Sequence, residues 1–208
     1  MRRPVGFAVA ATLAAWLPPV VFGQRWGDYD AGRDFISELG AAGAPDAAAV
    51  NLTFLLAGLL FVATCAALAR AAGRGAAALA LVSLVGWSYV VVAFAPCDAG
   101  CPAEGSPTQA LHNAVGAVGY LGGGLGLLLL ARGRESRPGA PAWLAAAAGL
   151  LAIGGLVAMG APELADVRGA AQRVVEGGVF LWLLVAAHRA GSIGAPDANS
   201  TVTSSSPR

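Results

Sequence analysis

"AAAVNLTFLLAGLLFVATCAALA", residues 47–69, contains no charged side chain and only a scatter of small polar ones. A helix needs about 20 mostly apolar residues to cross a bilayer, and this stretch is long enough. Five further runs share its character: Val5–Gly23, Gly75–Ala95, Ala110–Ala131, Ala142–Ala161 and Gly169–His188. The expected fold is therefore all-α, a bundle of six transmembrane helices spanning residues 1–190. The last run is the weakest, because Gln172, Arg173 and Glu176 crowd its first two turns.

Composition agrees. Of 208 residues, 57% are hydrophobic and 12% charged, with a mean hydropathy of +0.66. A soluble domain averages roughly 25% charged residues, so the material for a wetted surface is lacking. A net charge of +1 gives no basic field for a nucleic acid, which excludes that partner. The first run follows Arg2 and Arg3 as a signal peptide would, but its apolar core exceeds the ~7–15 residues of such a segment and no clean cleavage site follows. It reads as a retained span.

Arginine placement sets the threading, since cytoplasmic loops accumulate basic residues. With the N-terminus inside, Arg2, Arg3, Arg70, Arg74, Arg132, Arg134, Arg137, Arg189 and Arg208 are cytoplasmic, and only Arg25, Arg33, Arg168 and Arg173 are external. Both termini are thus expected in the cytoplasm, in a prokaryotic plasma membrane. From Gly191 the Ser/Thr/Pro-rich tail is expected to be disordered, and its "NST" sequon is discounted as lying inside.

The threading puts "APCDAGCP" (95–102) outside, where an oxidising compartment allows Cys97 and Cys101 to pair across the Asp98-Ala99-Gly100 turn. Free thiols and a metal are the alternatives. The metal is the poorest, because C-x3-C is not the usual zinc knuckle and no second Cys or His pair follows. No cofactor is expected. Cys65 sits mid-span as a small core residue.

In "RDFISEL" (33–39), Phe35, Ile36 and Leu39 share one helical arc, with Arg33, Asp34, Ser37 and Glu38 opposite. Gly40, Gly43 and Pro45 then stop the helix. The expectation is a short amphipathic helix in the first external loop, its polar edge turned to water or to neighbouring loops. Other polar residues collect at the same level: Asn51, Asp98, His112, Asn113, Gln172, Arg173 and Glu176. His112 shares a stripe with Gly116, Gly119, Gly123 and Gly126, which lets a neighbouring helix approach and turns His112 into the bundle. Arg173 and Glu176 are spaced for an internal ion pair.

Taken together, "DFISELGAAGAP" (34–45), Asn51, "FAPCDAGCP" (94–102), His112 and "GAAQRVVEG" (169–177) resemble the prokaryotic membrane-protein family catalogued as domain of unknown function number 998, over residues 5–190. The resemblance implies a six-helix membrane protein and supplies no catalytic residues.

Three functions are compatible with these residues. The first is a non-enzymatic protein whose external cluster (Asp34, Asn51, Gln172, Arg173, Glu176) joins helices or binds membrane lipids or a partner, with a homo-oligomer left open. The second is a membrane-embedded hydrolase of an outer-leaflet lipid, with Ser37, Glu38, Asp98 and His112 as its catalytic candidates. Against it, His188 falls at the opposite membrane face, leaving one histidine for a site that in comparable zinc hydrolases uses three. The third is a small transporter, favoured by the helix-breaking Pro18-Pro19 and disfavoured by uncharged span centres.

Overall fold

The computed structural model describes residues 3–70, 75–133 and 140–193. Among these there is no strand. The chain forms α1 (Arg3–Leu17), α2 (Ala47–Ala69), α3 (Ala76–Val92), α4 (Pro107–Arg132), α5 (Ala142–Gly160) and α6 (Arg168–Ile193). Helix α1 continues through a π-helical turn, Pro18–Phe22. This is how the prolines are absorbed: they supply no N–H to the helical ladder, and a wider turn accommodates them. Five of the helices are long and apolar enough to cross a membrane; α3, at 17 residues, is apolar but shorter. Helix α6 runs beyond the expected end at His188 to Ile193. The remainder of the tail, with its sequon, lies outside the described residues, as do Arg2, Arg74, Arg134, Arg137 and Arg208.

Each helix packs on the next, and α1 meets α6, closing the ring. Lipid tails are as apolar as leucine, so such a ring must be held by close packing and interhelical polar bonds. Close packing is provided where glycines face each other. A Cβ on Gly58 of α2 would stand 2.5 Å from the Gly86 carbonyl oxygen of α3, and one on Gly149 of α5 would stand 2.8 Å from that of Gly124 of α4. The expected stripe on α4 behaves the same way: Gly119, Gly123 and Gly126 lie against α3. Inside the ring, Phe54, Tyr89, Phe180 and Phe61 form an edge-to-face series linking α2, α3 and α6, with ring centres 5.4–5.9 Å apart.

The connections 23–46, 93–106 and 161–167 meet at one end of the bundle. Ala42 N–H donates to the Cys97 carbonyl (2.9 Å), and the Arg168 guanidinium donates to the Gly100 carbonyl (3.1 Å). All the expected polar cluster residues lie at or near this end.

Candidate functional site

The first connection is clasped to the start of α6. The first backbone N–H groups of a helix have no partner within it. Here the Arg33 and Gly32 carbonyls accept from Gly169 N–H (3.2 Å) and Ala170 N–H (2.8 Å). Gly169 is required, because a Cβ there would run into the Arg33–Asp34 backbone. Arg173 donates to the Asp34 carbonyl (3.0 Å) and to the Tyr29 hydroxyl, and its guanidinium lies over the Tyr29 ring. Tyr29 in turn donates to the Phe35 carbonyl (3.1 Å). Burial pushes the Tyr29 hydroxyl up to about 12, outweighing the lowering effect of Arg173.

The short helix is a 3₁₀ turn, Ile36–Gly40, rather than an amphipathic helix over 33–39. Its acids do not face water: Asp34 is 7% and Glu38 6% exposed. The reason is that the loop backbone needs them. Asp34 accepts from Asp30 N–H (2.8 Å) and from the Arg33 guanidinium; Glu38 accepts from Phe35 N–H (3.0 Å) and pairs with Arg168 (3.2 Å). Burial alone would raise Asp34, but Arg33 and the Asp30 N–H hold its carboxyl below the usual range. For Glu38 burial wins over the Phe35 N–H, and its carboxyl lies above that range. Gly40 is tied to α2 by Asn51, whose amide donates to its carbonyl (2.9 Å).

Gln172 reaches both ways from α6. Its carbonyl accepts from Ile36 N–H (2.6 Å), and its amide faces the Tyr120 hydroxyl. Tyr120 donates to Glu176 Oε1 (2.6 Å), while Oε2 is buried without a hydrogen-bond partner. The spacing of Arg173 and Glu176 suggested an ion pair, and none forms. Arg173 turns to the first connection, and Glu176 turns inward to the tyrosines.

The connection 93–106 forms a cap on the start of α4. Asp98 accepts from the Ser106 N–H (2.8 Å) and hydroxyl (2.7 Å), and Ser106 Oγ caps α4 at Gln109 N–H. These bonds hold the Asp98 carboxyl below its usual range. Gln109, fully buried, accepts from Asp98 N–H and donates to the Pro102 carbonyl and Asn113. Gly100 (φ +78°) and Cys101 (φ 41°) both take left-handed backbone to make the turn. The Cys97 and Cys101 sulfurs are at disulfide-bonding distance. Nδ1 of His112 lies 2.9 Å from the Ala95 carbonyl oxygen. A carbonyl only accepts, so Nδ1 carries a proton and, in the neutral ring, Nε2 keeps its lone pair.

Between clasp and cap lies a cavity of about 500 Å³. Its walls are mainly apolar, with Phe54, Val92, Ala117, Leu156 and Met159 among them, and Ser37, Tyr89, His112, Tyr120, Arg168 and Gln172 bring polar groups to it. Of the four catalytic candidates, Ser37 and His112 border this space, whereas Glu38 and Asp98 are engaged in the clasp and cap. Sequence reasoning overlooked Tyr29, Gln109, Tyr120 and Arg168. A buried glutamine one turn into α4, after the Ser-Pro start, was the available signal for Gln109.

A closed ring of apolar helices with a polar, three-loop cap over an internal cavity defines a polytopic helical membrane-protein class. Within it the chain belongs to the family described as protein of unknown function (DUF998), whose model matches residues 9–189. No curated protein and no solved structure matches the chain.

Proposed function

We propose that this protein binds the head of an uncharged, hydrogen-bonding membrane lipid in the capped cavity, at the outer face of a prokaryotic plasma membrane. The observation that carries the reading is the cavity itself. Its volume is that of a small-ligand site, and apolar walls with a few convergent polar groups are what such sites present. Charge decides the ligand class. Among the described residues Arg168 is the one cation on the lining, and its guanidinium is engaged by Glu38, by the Arg33 and Gly100 carbonyls and by the Phe35 ring. An anionic head would have to break that set; an uncharged one needs only the Tyr, Ser, Asn and Gln groups already there.

Gly116 and Ala117 of α4 and Leu156 and Gly160 of α5 all line the cavity, and in this reading the ligand's alkyl chain leaves on that side. In this reading α3 is the sixth span: 17 residues reach about 26 Å, near the ~30 Å hydrocarbon thickness, and its neighbours α2 and α4 flank it. The arginine distribution supports cytoplasmic termini. The Ile36–Gly40 turn then acts as part of a roof over the ligand. A hydrolase is less well supported, since two of its four candidate groups are committed to holding the loops.

The test is lipid analysis of protein purified in mild detergent. Ala117→Trp and Leu156→Trp should each remove a co-purifying uncharged lipid while helicity stays unchanged. The same lipids in wild type and both variants, in equal amount, would overturn the reading.

A further inference from the structure

The structure assigns a second, metal-binding capability to the cap: we infer that Cys97, Cys101 and His112, once the disulfide is reduced, hold a thiophilic divalent cation such as zinc. The two sulfurs and a nitrogen of His112 lie within 4.8 Å of one another. Tetrahedral zinc with sulfur ligands at about 2.3 Å and nitrogen at about 2.0 Å separates such ligands by roughly 3.5–3.8 Å, so the imidazole is already within reach and the two sulfurs have to move apart once their bond is reduced. Two thiolates with one imidazole is an established donor set for a zinc ion that keeps one position open.

Three features of the cap suit a metal. The Nδ1–H of His112 is oriented by the Ala95 carbonyl, the kind of outer contact that fixes a ligating imidazole and leaves the other nitrogen unprotonated. The Ser37 hydroxyl stands 3.5 Å from the Cys101 sulfur, within reach to donate to a thiolate. Both cysteines are buried, Cys97 at 0% and Cys101 at 6% exposure, and Cys101 and His112 border the cavity. A cavity ligand can therefore approach the ion. The histidine belongs to α4, so only the tertiary structure brings it to the cysteine loop.

The chemistry balances with a dithiol as the reductant. The dithiol transfers two electrons and two protons to the Cys97–Cys101 bond and itself becomes a disulfide; zinc then binds both sulfurs and releases the two thiol protons to solvent. The inference does not depend on the lipid reading, because it concerns ion binding in the absence of any cavity ligand.

The experiment uses the full chain in mild detergent, oxidised or reduced with a dithiol that is then removed anaerobically. Each form is titrated with Co²⁺, read by thiolate-to-cobalt charge-transfer absorption, and then with Zn²⁺ in competition. The expected result is one ion per reduced chain and none per oxidised chain. Cys97→Ser and Cys101→Ser should abolish the charge-transfer band. His112→Ala should weaken binding by about 10-fold or more, with helicity unchanged. Equal metal binding by the oxidised and reduced wild type would overturn the site without recourse to any variant. So would a reduced protein that binds no cobalt, or a folded His112→Ala protein that binds as tightly as wild type.

Discussion

The clasp and the cap sit side by side at one end of the bundle, yet they join different distances along the chain. The clasp links the first connection to α6 across 135 to 139 residues, through Arg168 and Arg173. The cap links groups 8 to 17 residues apart, through Asp98 and His112. The clasp buries its two acids, Asp34 and Glu38, whereas Asp98 and Ser106 remain partly exposed. The contrast teaches that closing the ring is a long-range task that needs well-satisfied, desolvated bonds. Holding the start of one helix is a local task that a capping serine performs.

The strongest way to break the comparison is Arg173→Ala. It leaves the Asp34 carbonyl and the Tyr29 hydroxyl without their donor in a half-buried site, and should cost about 3 kcal/mol, read as a lower melting temperature in detergent. Gly169→Val follows, at about 2 kcal/mol, because its side chain would push the Arg33–Asp34 backbone off α6. On the cap, Ser106→Ala should cost only about 1 kcal/mol, the usual worth of an N-cap, with the loss confined to hydrogen-exchange protection at the start of α4. If the serine variant proved as damaging as the arginine one, the division into long-range and local roles would fail.

The smallest effect is on pH dependence, and its sign differs between the two regions. Asp98 is held below its ordinary value, so its contribution is present above the ordinary carboxylate pKa of about 4 and fades as pH falls through the folded value. In the clasp, Asp34 behaves likewise, but Glu38 is raised: its contribution is present at low pH and fades as pH rises through its folded value. The two acids of the clasp therefore oppose each other, and the cap has no such counterweight in Asp98. Acidification from pH 6 to about 3 should reduce amide protection at Ser106 and Gln109 before it does so at Phe35. Asp98→Asn should remove that pH dependence from the cap, and a clasp that loosened first would reverse the assignment.

Hydropathy is a local property, and so the helices were legible from composition along the chain. The ends of α2 and α5 fell within a residue of the expected runs, the α4 glycine stripe was readable from spacing, and the cysteine pair was one of the readings that spacing and threading allowed. The site was legible only as a level in the membrane. Asp34, Glu38, Asp98, His112, Gln172, Arg173 and Glu176 were placed at one level, but their partners were not legible. Glu176 pairs with Tyr120 rather than with Arg173, and Glu38 pairs with Arg168. The physical reason lies in the helices themselves. A span that is apolar on every side carries no stripe to say which face turns inward. Its rotation is set by how glycines of one helix meet the backbone of the next, and by the loops folding back over the end. Those contacts decide that Tyr120 meets Glu176, that the loop carbonyls at Gly32 and Arg33 complete α6, and that His112 comes to rest beside Cys97 and Cys101.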